Sequence, residues 1–464
     1  MSRLYLALRT TLRAAVKVFY GDIEVTDAGH LPATGPIIIA CNHPNSIVDP
    51  LLLGTVTDRA ITYCARDGLF QVPIFGRLLR AIGAIPIRRR GDHSTTDSTA
   101  DSTADNTGAF AAAGALLGRG GVMAIFPEGK THGHLRIEPI KTGTARIAYA
   151  AQTSAGAGPP VRIVPVAITY LVRHAFRSDI HVAFGPPIDV AEVIDAAPTH
   201  DEFTVVRALT ARISDALRDL AVHVEKTEDE RLIALVTAIM VGIRAGDGLD
   251  VGGQSPAERT ALVRRVIDAY RWFLEIDPHR CQELRVRLEH YVEEREALGL
   301  GGEQPALQHR GERRLSLRGP ARIAALVACA PLAIFGLLTS LVPHVLLRLS
   351  MQPLHLSSDR VALYKLLAGA VIFGAAYAAE VIAMARVFGP LAAVMFAACL
   401  VPAALFARRW LIETRLHRLQ LRSLGAWRAN GRLGALRVER HALAEALTVL
   451  RVRYLDQLVQ RSRT

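Results

Sequence analysis

The chain has 464 residues, 50% of them hydrophobic and 21% charged, with 55 Lys+Arg against 43 Asp+Glu and a formal charge of +12. This composition excludes a disordered or collagen-like chain, and the length exceeds the roughly 250–300 residues at which single cores stop growing, so at least two units are expected. A mean hydropathy of +0.24 is high for a soluble enzyme, and the positive charge suits either nucleic acid or an anionic phospholipid surface.

Five lysines (Lys17, Lys130, Lys141, Lys226 and Lys365) leave arginine to supply nearly all of that charge, a usage that with abundant alanine resembles a GC-rich bacterial genome. The cysteines, Cys41, Cys64, Cys281, Cys329 and Cys399, form no CxxC and no zinc spacing, and read as reduced, buried thiols.

Residues 1–20 contain no uninterrupted apolar run, because Arg3, Arg9, Arg13 and Lys17 divide it, so a cleaved signal peptide is not expected. Leu4, Leu8, Leu12, Val16 and Phe19 share one helical face, which predicts an amphipathic helix, either packed on the following domain or lying in the membrane interface. Residues 21–225 alternate apolar runs at 36–41, 61–65, 81–87, 122–126, 162–170 and 180–184 with helical spacing near 73–81, 108–118, 140–152 and 201–222. That pattern predicts an α/β domain with helices covering a central sheet. Its one polar interruption, HSTTDSTADSTADNT at 93–107, repeats DSTA and reads as a loop.

Residues 226–300 have capping-box spacing at Thr227/Glu230 and Ser255/Glu258 and form a helical appendage, followed by a linker at 301–318. The region 319–410 is hydrophobic at membrane length. Ile323–Leu347 is long enough for one crossing, and Leu366–Phe406, interrupted by Gly389-Pro390, is long enough for two. Arginines flank both outer ends (Arg313, Arg314, Arg318 and Arg322; Arg408, Arg409, Arg415 and Arg418), which favours two crossings or short re-entrant helices, with both ends cytosolic. A buried helical bundle is the alternative. The basic tail 411–464 has leucines at helical spacing and suits either a bilayer surface or solvent.

The chemistry concentrates at strand ends of the α/β domain. Asn42-His43-Pro44-Asn45-Ser46-Ile47-Val48-Asp49-Pro50 follows the first buried strand. A histidine there takes up a proton near neutral pH, and a nearby carboxylate fixes its tautomer and stabilises the imidazolium. Arg66, Arg88 in GAIPIRR, and Lys130 and Lys141 in FPEGKTH and PIKTG are cations suited to a phosphate monoester. No Ser or Cys nucleophile motif such as G-x-S-x-G occurs. His132 and His134 have no third ligand at a defined spacing, so no metal is expected. The absence of zinc-finger and RNA-binding aromatic patterns, beside long apolar segments, argues against nucleic acid.

In this order and spacing, NHPNSIVDP, GAIPIRR, FPEGKTH and VPVAI resemble the four blocks of the glycerolipid acyltransferases, the lysophosphatidate acyltransferase or PlsC-like superfamily, over roughly residues 4–225. The resemblance is nearest to the fungal-type glycerol-3-phosphate/dihydroxyacetone-phosphate acyltransferase branch. It implies the glycerol-phosphate acyltransferase fold, a central mixed sheet flanked by helices, followed here by a helical segment and carboxy-terminal transmembrane or re-entrant helices. It also implies transfer of a fatty acyl group from acyl-CoA or an acyl carrier protein thioester, as co-substrate and with no further cofactor, to a hydroxyl of a glycerol phosphate or lysophospholipid. His43 is then the general base and Asp49 its orienting partner. Arg66, Arg88, Glu128, Gly129, Lys130, His132 and Lys141 form the acceptor site. The tilt is toward glycerol 3-phosphate and the sn-1 position; the alternatives are an sn-2 lysophosphatidate acyltransferase and a non-catalytic lipid-binding membrane protein. The expected setting is the bacterial cytoplasmic membrane, with the catalytic domain on the cytosolic face. Two departures from the family pattern stand out: five residues rather than four separate His43 from Asp49, and His132 occupies the usual arginine position, leaving Lys130, Lys141 or His132 to supply the charge.

Overall fold

The computed structural model describes residues 9, 10, 13, 16, 17, 19–46, 48–71, 75–88, 106–154, 158–171, 178–246, 254–297, 320–352, 358–429 and 431–461. Most of the amphipathic segment 4–20, nearly all of the DSTA repeat and the linker 301–318 lie outside the described residues. The chain divides into two compact units, residues 1–227 with 256–261, and residues 228–255 with 262–464.

The first unit is built on eight strands among the described residues: β1 (Ile23–Thr26), β2 (Ile37–Cys41), β3 (Ile61–Arg66), β4 (Ile85–Ile87), β5 (Val122–Ile125), β6 (Arg162–Tyr170), β7 (Ile180–Phe184) and β8 (Ile188–Asp189). They form a mixed sheet in the order β1-β7-β6-β2-β5-β3-β4, with β8 paired to β6. The block β6-β2-β5-β3-β4 is parallel throughout, so these five strands end on the same edge of the sheet. The β6–β7 and β6–β8 pairs are antiparallel. All residues of β2, β5 and β7 are buried, the continuous apolar run expected of strands covered on both faces.

Helices α1 (Val48–Val56), α2 (Asp67–Phe70), α3 (Phe75–Ala81), α4 (Thr107–Gly118), α5 (Gly143–Ser154), α6 (Val190–Asp195) and α7 (Glu202–Leu220) complete this unit. Helix α7 shows why the pattern folds as it does. The Asp201 side chain caps its first turn through the Thr204 N–H, and Val205, Leu209, Ile213 and Leu217 recur every four residues to form its buried stripe. That stripe joins Ile38, Met123 and Ile163 of the sheet and Ile147 of α5 in one core. Strand β4 is three residues long, against the seven-residue run expected at 81–87, because the chain turns at Gly83 in the left-handed region before pairing begins.

The second unit is helical: α8 (Asp229–Gly246), α9 (Pro256–Ile276), α10 (Pro278–Ala297), α11 (Pro320–Ala328), α12 (Ala330–Met351), α13 (Ser358–Phe388), α14 (Pro390–Ala429) and α15 (Gly431–Arg461). The first turn of α9 belongs to the first unit instead. Arg259, on that turn, is buried and pairs with buried Asp179 at 2.5 Å, and the Ala257 N–H donates to Glu24 at 2.7 Å. In the basic tail, Leu443 and Leu447 of α15 are buried with Leu232 and Ile239 of α8 and Leu288 of α10, while Val438, Val449 and Val452 are exposed.

Among the described residues three helices are long and apolar enough to cross a membrane: Ala330–Met351, Ala368–Phe388 and Pro390–Leu411. The parity of the flanking arginines favours two. The block 366–406 nevertheless yields two span-length helices, because Gly389, in the left-handed region, and Pro390 end one helix and begin the next. Leu338, Leu341, Val371 and Val394 are exposed on these helices, as lipid-facing side chains would be. Small residues set their crossing: a Cβ added at Gly336 of α12 would lie 2.1 Å from the Ala403 carbonyl of α14. Among the cysteines, all free, Cys41 is buried and Cys64 and Cys281 are partly so, whereas Cys329 and Cys399 are exposed. The expectation of buried thiols fails for the last two, which lie in the apolar helical region.

Candidate active site

The site forms at the shared carboxyl edge of the parallel strands, where α/β folds collect functional loops. His43 follows β2, Glu128 follows β5, Arg66 closes β3, Arg88 follows β4 and Tyr170 closes β6. Beyond Cys41 the β2–β6 ladder gives way to a side chain: the Asn42 amide oxygen accepts from the Ile168 N–H at 2.7 Å and its NH2 donates to the Ile168 carbonyl at 3.1 Å. This clamp fixes where His43 leaves the sheet.

The additional residue between His43 and Asp49 is taken up by a turn. Ser46 adopts a left-handed conformation at φ 50°, an uncommon state for a residue with a Cβ, costing about 1–2 kcal/mol. The Val48 N–H then donates to the Asn45 carbonyl and the Asp49 N–H to the Ser46 carbonyl, starting α1 so that Asp49 falls in its first turn. A carboxylate there is favoured by the helix dipole. His43 Nδ1 lies 2.9 Å from Asp49 Oδ2. That oxygen also accepts from the Asn45 N–H at 2.8 Å, while Oδ1 accepts from the Tyr170 hydroxyl at 2.7 Å. Asp49 is fully buried, and three donors offset its desolvation. The His43 ring stacks on Phe126 with centroids 4.1 Å apart and planes 20° apart. Its Nε2 has no protein partner among the described residues.

Glu128, buried, accepts from the His43 backbone N–H at 3.3 Å through Oε1 and pairs with His132 Nε2 through Oε2. His132 Nδ1 is buried without a hydrogen-bond partner among the described residues, and His132 lines a small pocket with Asn42, Pro44, Arg136, Ile168 and Tyr170. Gly129 turns the chain at φ 71°, and a Cβ there would sit 2.8 Å from Lys141 Nζ, so the lysine lies across the glycine. The Lys141 N–H donates to the Pro127 carbonyl at 2.9 Å, joining the FPEG and PIK segments.

Six of the nine residues expected at the site therefore come together: His43, Asp49, Glu128, Gly129, His132 and Lys141. Lys130 instead pairs with Glu138 at 3.2 Å, and its ammonium hydrogen bond holds the Glu138 carboxyl below the usual range. Arg66 and Arg88 stand at adjacent strand ends, two and three strands from β2, with Arg88 Nε 3.7 Å from Asp67. His132 is occupied by Glu128, so its first nitrogen serves a carboxylate and not a ligand. Sequence reasoning missed Tyr170, Phe126, Asn42 and Asn45 as contributors, although each lies inside or beside a quoted block. Burial, with Asp49 nearby, pushes the Tyr170 and Tyr20 phenols and the Cys41 thiol up, so all three stay protonated at neutral pH. Among the described residues no group of three or more His, Cys, Asp or Glu side chains is placed to hold a metal.

Residues 22–169 match the family model Acyltransferase, and this stretch contains His43, Asp49, Glu128 and both strand-end arginines. That stretch is similar to an acyltransferase domain. Over 102 residues the chain is 32% identical to glycerol-3-phosphate O-acyltransferase 1 of Saccharomyces cerevisiae, covering 22% of this chain and 13% of that protein. Over 152 residues it is 29% identical to lyso-ornithine lipid O-acyltransferase of Rhizobium meliloti, covering 33% and 47%. The chain thus spans less than half the length of either curated relative. The 1-acyl-sn-glycerophosphate acyltransferase PlsC of Thermotoga maritima, a solved structure, overlays with a TM-score of 0.33 at 18% identity, covering 46% of this chain and 80% of that one. The helical unit lies outside the matched residues.

Proposed function

We propose that the protein is a membrane-bound O-acyltransferase that moves a fatty acyl group from an acyl-CoA or acyl carrier protein thioester to the sn-1 hydroxyl of glycerol 3-phosphate. One observation carries the reading: a histidine with Nδ1 fixed on a buried aspartate, 2.9 Å away, and Nε2 without a partner among the described residues. In this reading Nε2 accepts the acceptor's hydroxyl proton as the hydroxyl oxygen attacks the thioester carbonyl, and Asp49 stabilises the imidazolium that forms. The tetrahedral intermediate collapses with loss of the thiolate, which takes the proton back. A thioester is reactive enough to need no covalent enzyme intermediate, consistent with the absence of a nucleophile motif. Lys141, Arg66 and Arg88 bind the acceptor phosphate. Glu128 and His132 shape the loop that presents it.

The three apolar helices favour a membrane setting; the arginine- and alanine-rich composition supports the bacterial cytoplasmic membrane, and the arginines before the first of these helices support the cytosolic face for the catalytic domain, where both thioester donors reside. The similarity to a protein named for glycerol 3-phosphate supports the sn-1 acceptor. The similarity to one named for lyso-ornithine lipid favours a second reading, acylation of a lysophospholipid or other lyso-lipid at sn-2.

The test offers glycerol 3-phosphate, dihydroxyacetone phosphate, lysophosphatidate and lyso-ornithine lipid side by side, with palmitoyl-CoA and an acyl carrier protein thioester, to the full chain in lipid. Acylated product from glycerol 3-phosphate, lost in His43→Ala, is expected. Product only from a lyso-lipid would move the protein to the second reading, and no product from any pair would overturn catalysis.

A further inference from the structure

Asp49 is held by three hydrogen bonds, two from the His43 loop itself and one from outside it. Tyr170 closes β6, next to the strand from which His43 emerges. Its hydroxyl donates to Asp49 Oδ1 at 2.7 Å, while His43 and the Asn45 N–H share Oδ2. The Tyr170 ring lies 5.7 Å from that of Tyr20, whose hydroxyl oxygen accepts from the Asn45 side chain at 3.2 Å. Two aromatic residues from distant parts of the sequence thus grip the loop, one through its carboxylate and one through its amide.

We infer that Tyr170 is a positioning residue for acyl transfer, its phenol fixing the Asp49 carboxylate so that Oδ2 alone faces His43. The inference rests on the reading of His43 as general base. A carboxylate with one oxygen unpaired in a buried site rotates or becomes a stronger proton acceptor. Burial keeps the phenol protonated and therefore a donor. By donating to Oδ1, the phenol also draws negative charge away from the oxygen that faces His43. Removing it makes the imidazole easier to protonate, so a base that must be neutral to act is lost at a higher pH. The titratable groups around Asp49 are His43, Tyr170, Tyr20 and Cys41, with Glu128 on the His43 backbone N–H and His132 beyond it. The phenols and the thiol stay neutral through this range.

The experiment measures kcat and KM from about pH 5.5 to about pH 8.5 for the full chain in lipid, as wild type, Tyr170→Phe, Asp49→Asn and the double variant. Tyr170→Phe is expected to lower kcat by roughly tenfold or more, to leave both KM values within about twofold, and to move the acid limb of kcat/KM upward. In the Asp49→Asn background the same change is expected to alter kcat by no more than about twofold, since a residue acting through Asp49 has nothing left to act on. Incorporating 3-fluorotyrosine at 170 keeps the ring and strengthens the donor, so the limb moves downward; this arm decides the matter if the phenylalanine variant misfolds. An unmoved limb with unchanged kcat, or equal losses in both backgrounds, would overturn the role of Tyr170 while leaving His43-dependent activity in the wild type intact. Wild-type activity that survives His43→Ala would overturn the general-base reading and, with it, this inference.

Discussion

Replacing Asp49 by asparagine separates the charge of the dyad from its geometry. The amide fits the same space: its oxygen at the Oδ2 position keeps the His43 and Asn45 donors, and its NH2 at the Oδ1 position donates to Tyr170, whose hydroxyl turns from donor to acceptor. Folding is therefore retained, and the imidazole keeps its tautomer. What disappears is the attraction between the carboxylate and the imidazolium formed during proton transfer. Two unit charges 2.9 Å apart interact by roughly 6 kcal/mol at an effective dielectric of about 20. Imidazolium charge is shared between two nitrogens, so about 3 kcal/mol is the lower expectation, and the range corresponds to a loss of roughly 10²- to 10⁴-fold in kcat. KM for both substrates should stay near wild type, because Asp49 is buried and contacts neither. The assay is steady-state acyl transfer by the full chain in lipid, with circular dichroism and a melting curve confirming the fold. A folded Asp49→Asn enzyme that keeps more than about a third of its kcat would refute the argument, since no buried counter-charge would then be stabilising the base.

Two further predictions test the rim and the frame of the site. Arg88→Ala is expected to raise KM for a phosphorylated acceptor about tenfold with kcat largely kept, because the side chain is half-exposed and only loosely paired with Asp67; an unchanged acceptor KM would remove Arg88 from the phosphate site. Arg259→Met leaves the buried Asp179 carboxylate without its counter-charge and is expected to cost about 3–5 kcal/mol in chemical denaturation, with Asp179→Leu in the same chain recovering much of the loss. A loss below about 1 kcal/mol would show that this pair does not tie the first turn of α9 to the edge of the sheet.

The sheet was legible because its strands are apolar runs with no helical spacing. Residues 36–41, 122–126, 162–170 and 180–184 each appear as strands within a residue of the run that predicts them. Ile23–Thr26 was not legible, since IEVT is partly buried and short, and only its pairing with β7 makes it a strand. The apolar segments 323–347 and 366–406 indicated helices of membrane length but left their number open, because composition counts residues while the Gly389-Pro390 break decides how many helices they form. The tail read as amphipathic, yet periodicity does not identify what a helix packs against. The burial of Leu443 beside Leu232 and Leu288 is a long-range fact.

At the site, residue identity was legible and engagement was not. His43 and Asp49 stand out in a linear motif, with five residues between them where the family pattern has four. The chain absorbs it at Ser46, whose left-handed backbone is invisible in the sequence because serine carries no positional signature for it. The two departures from the family pattern have opposite fates for a physical reason. An insertion in a turn changes only the path between two anchored ends, Asn42 after β2, clamped to Ile168 of β6, and Asp49 on α1, and both ends hold their hydrogen bonds. The exchange of arginine for His132 alters a donor set: an imidazole offers two nitrogens where a guanidinium offers five N–H groups, and one of the two is already committed to Glu128. In the proposed phosphate site the cation lost at 132 would come from elsewhere on the rim, and Lys141, lying across Gly129 by a contact that only glycine permits, is placed to supply it.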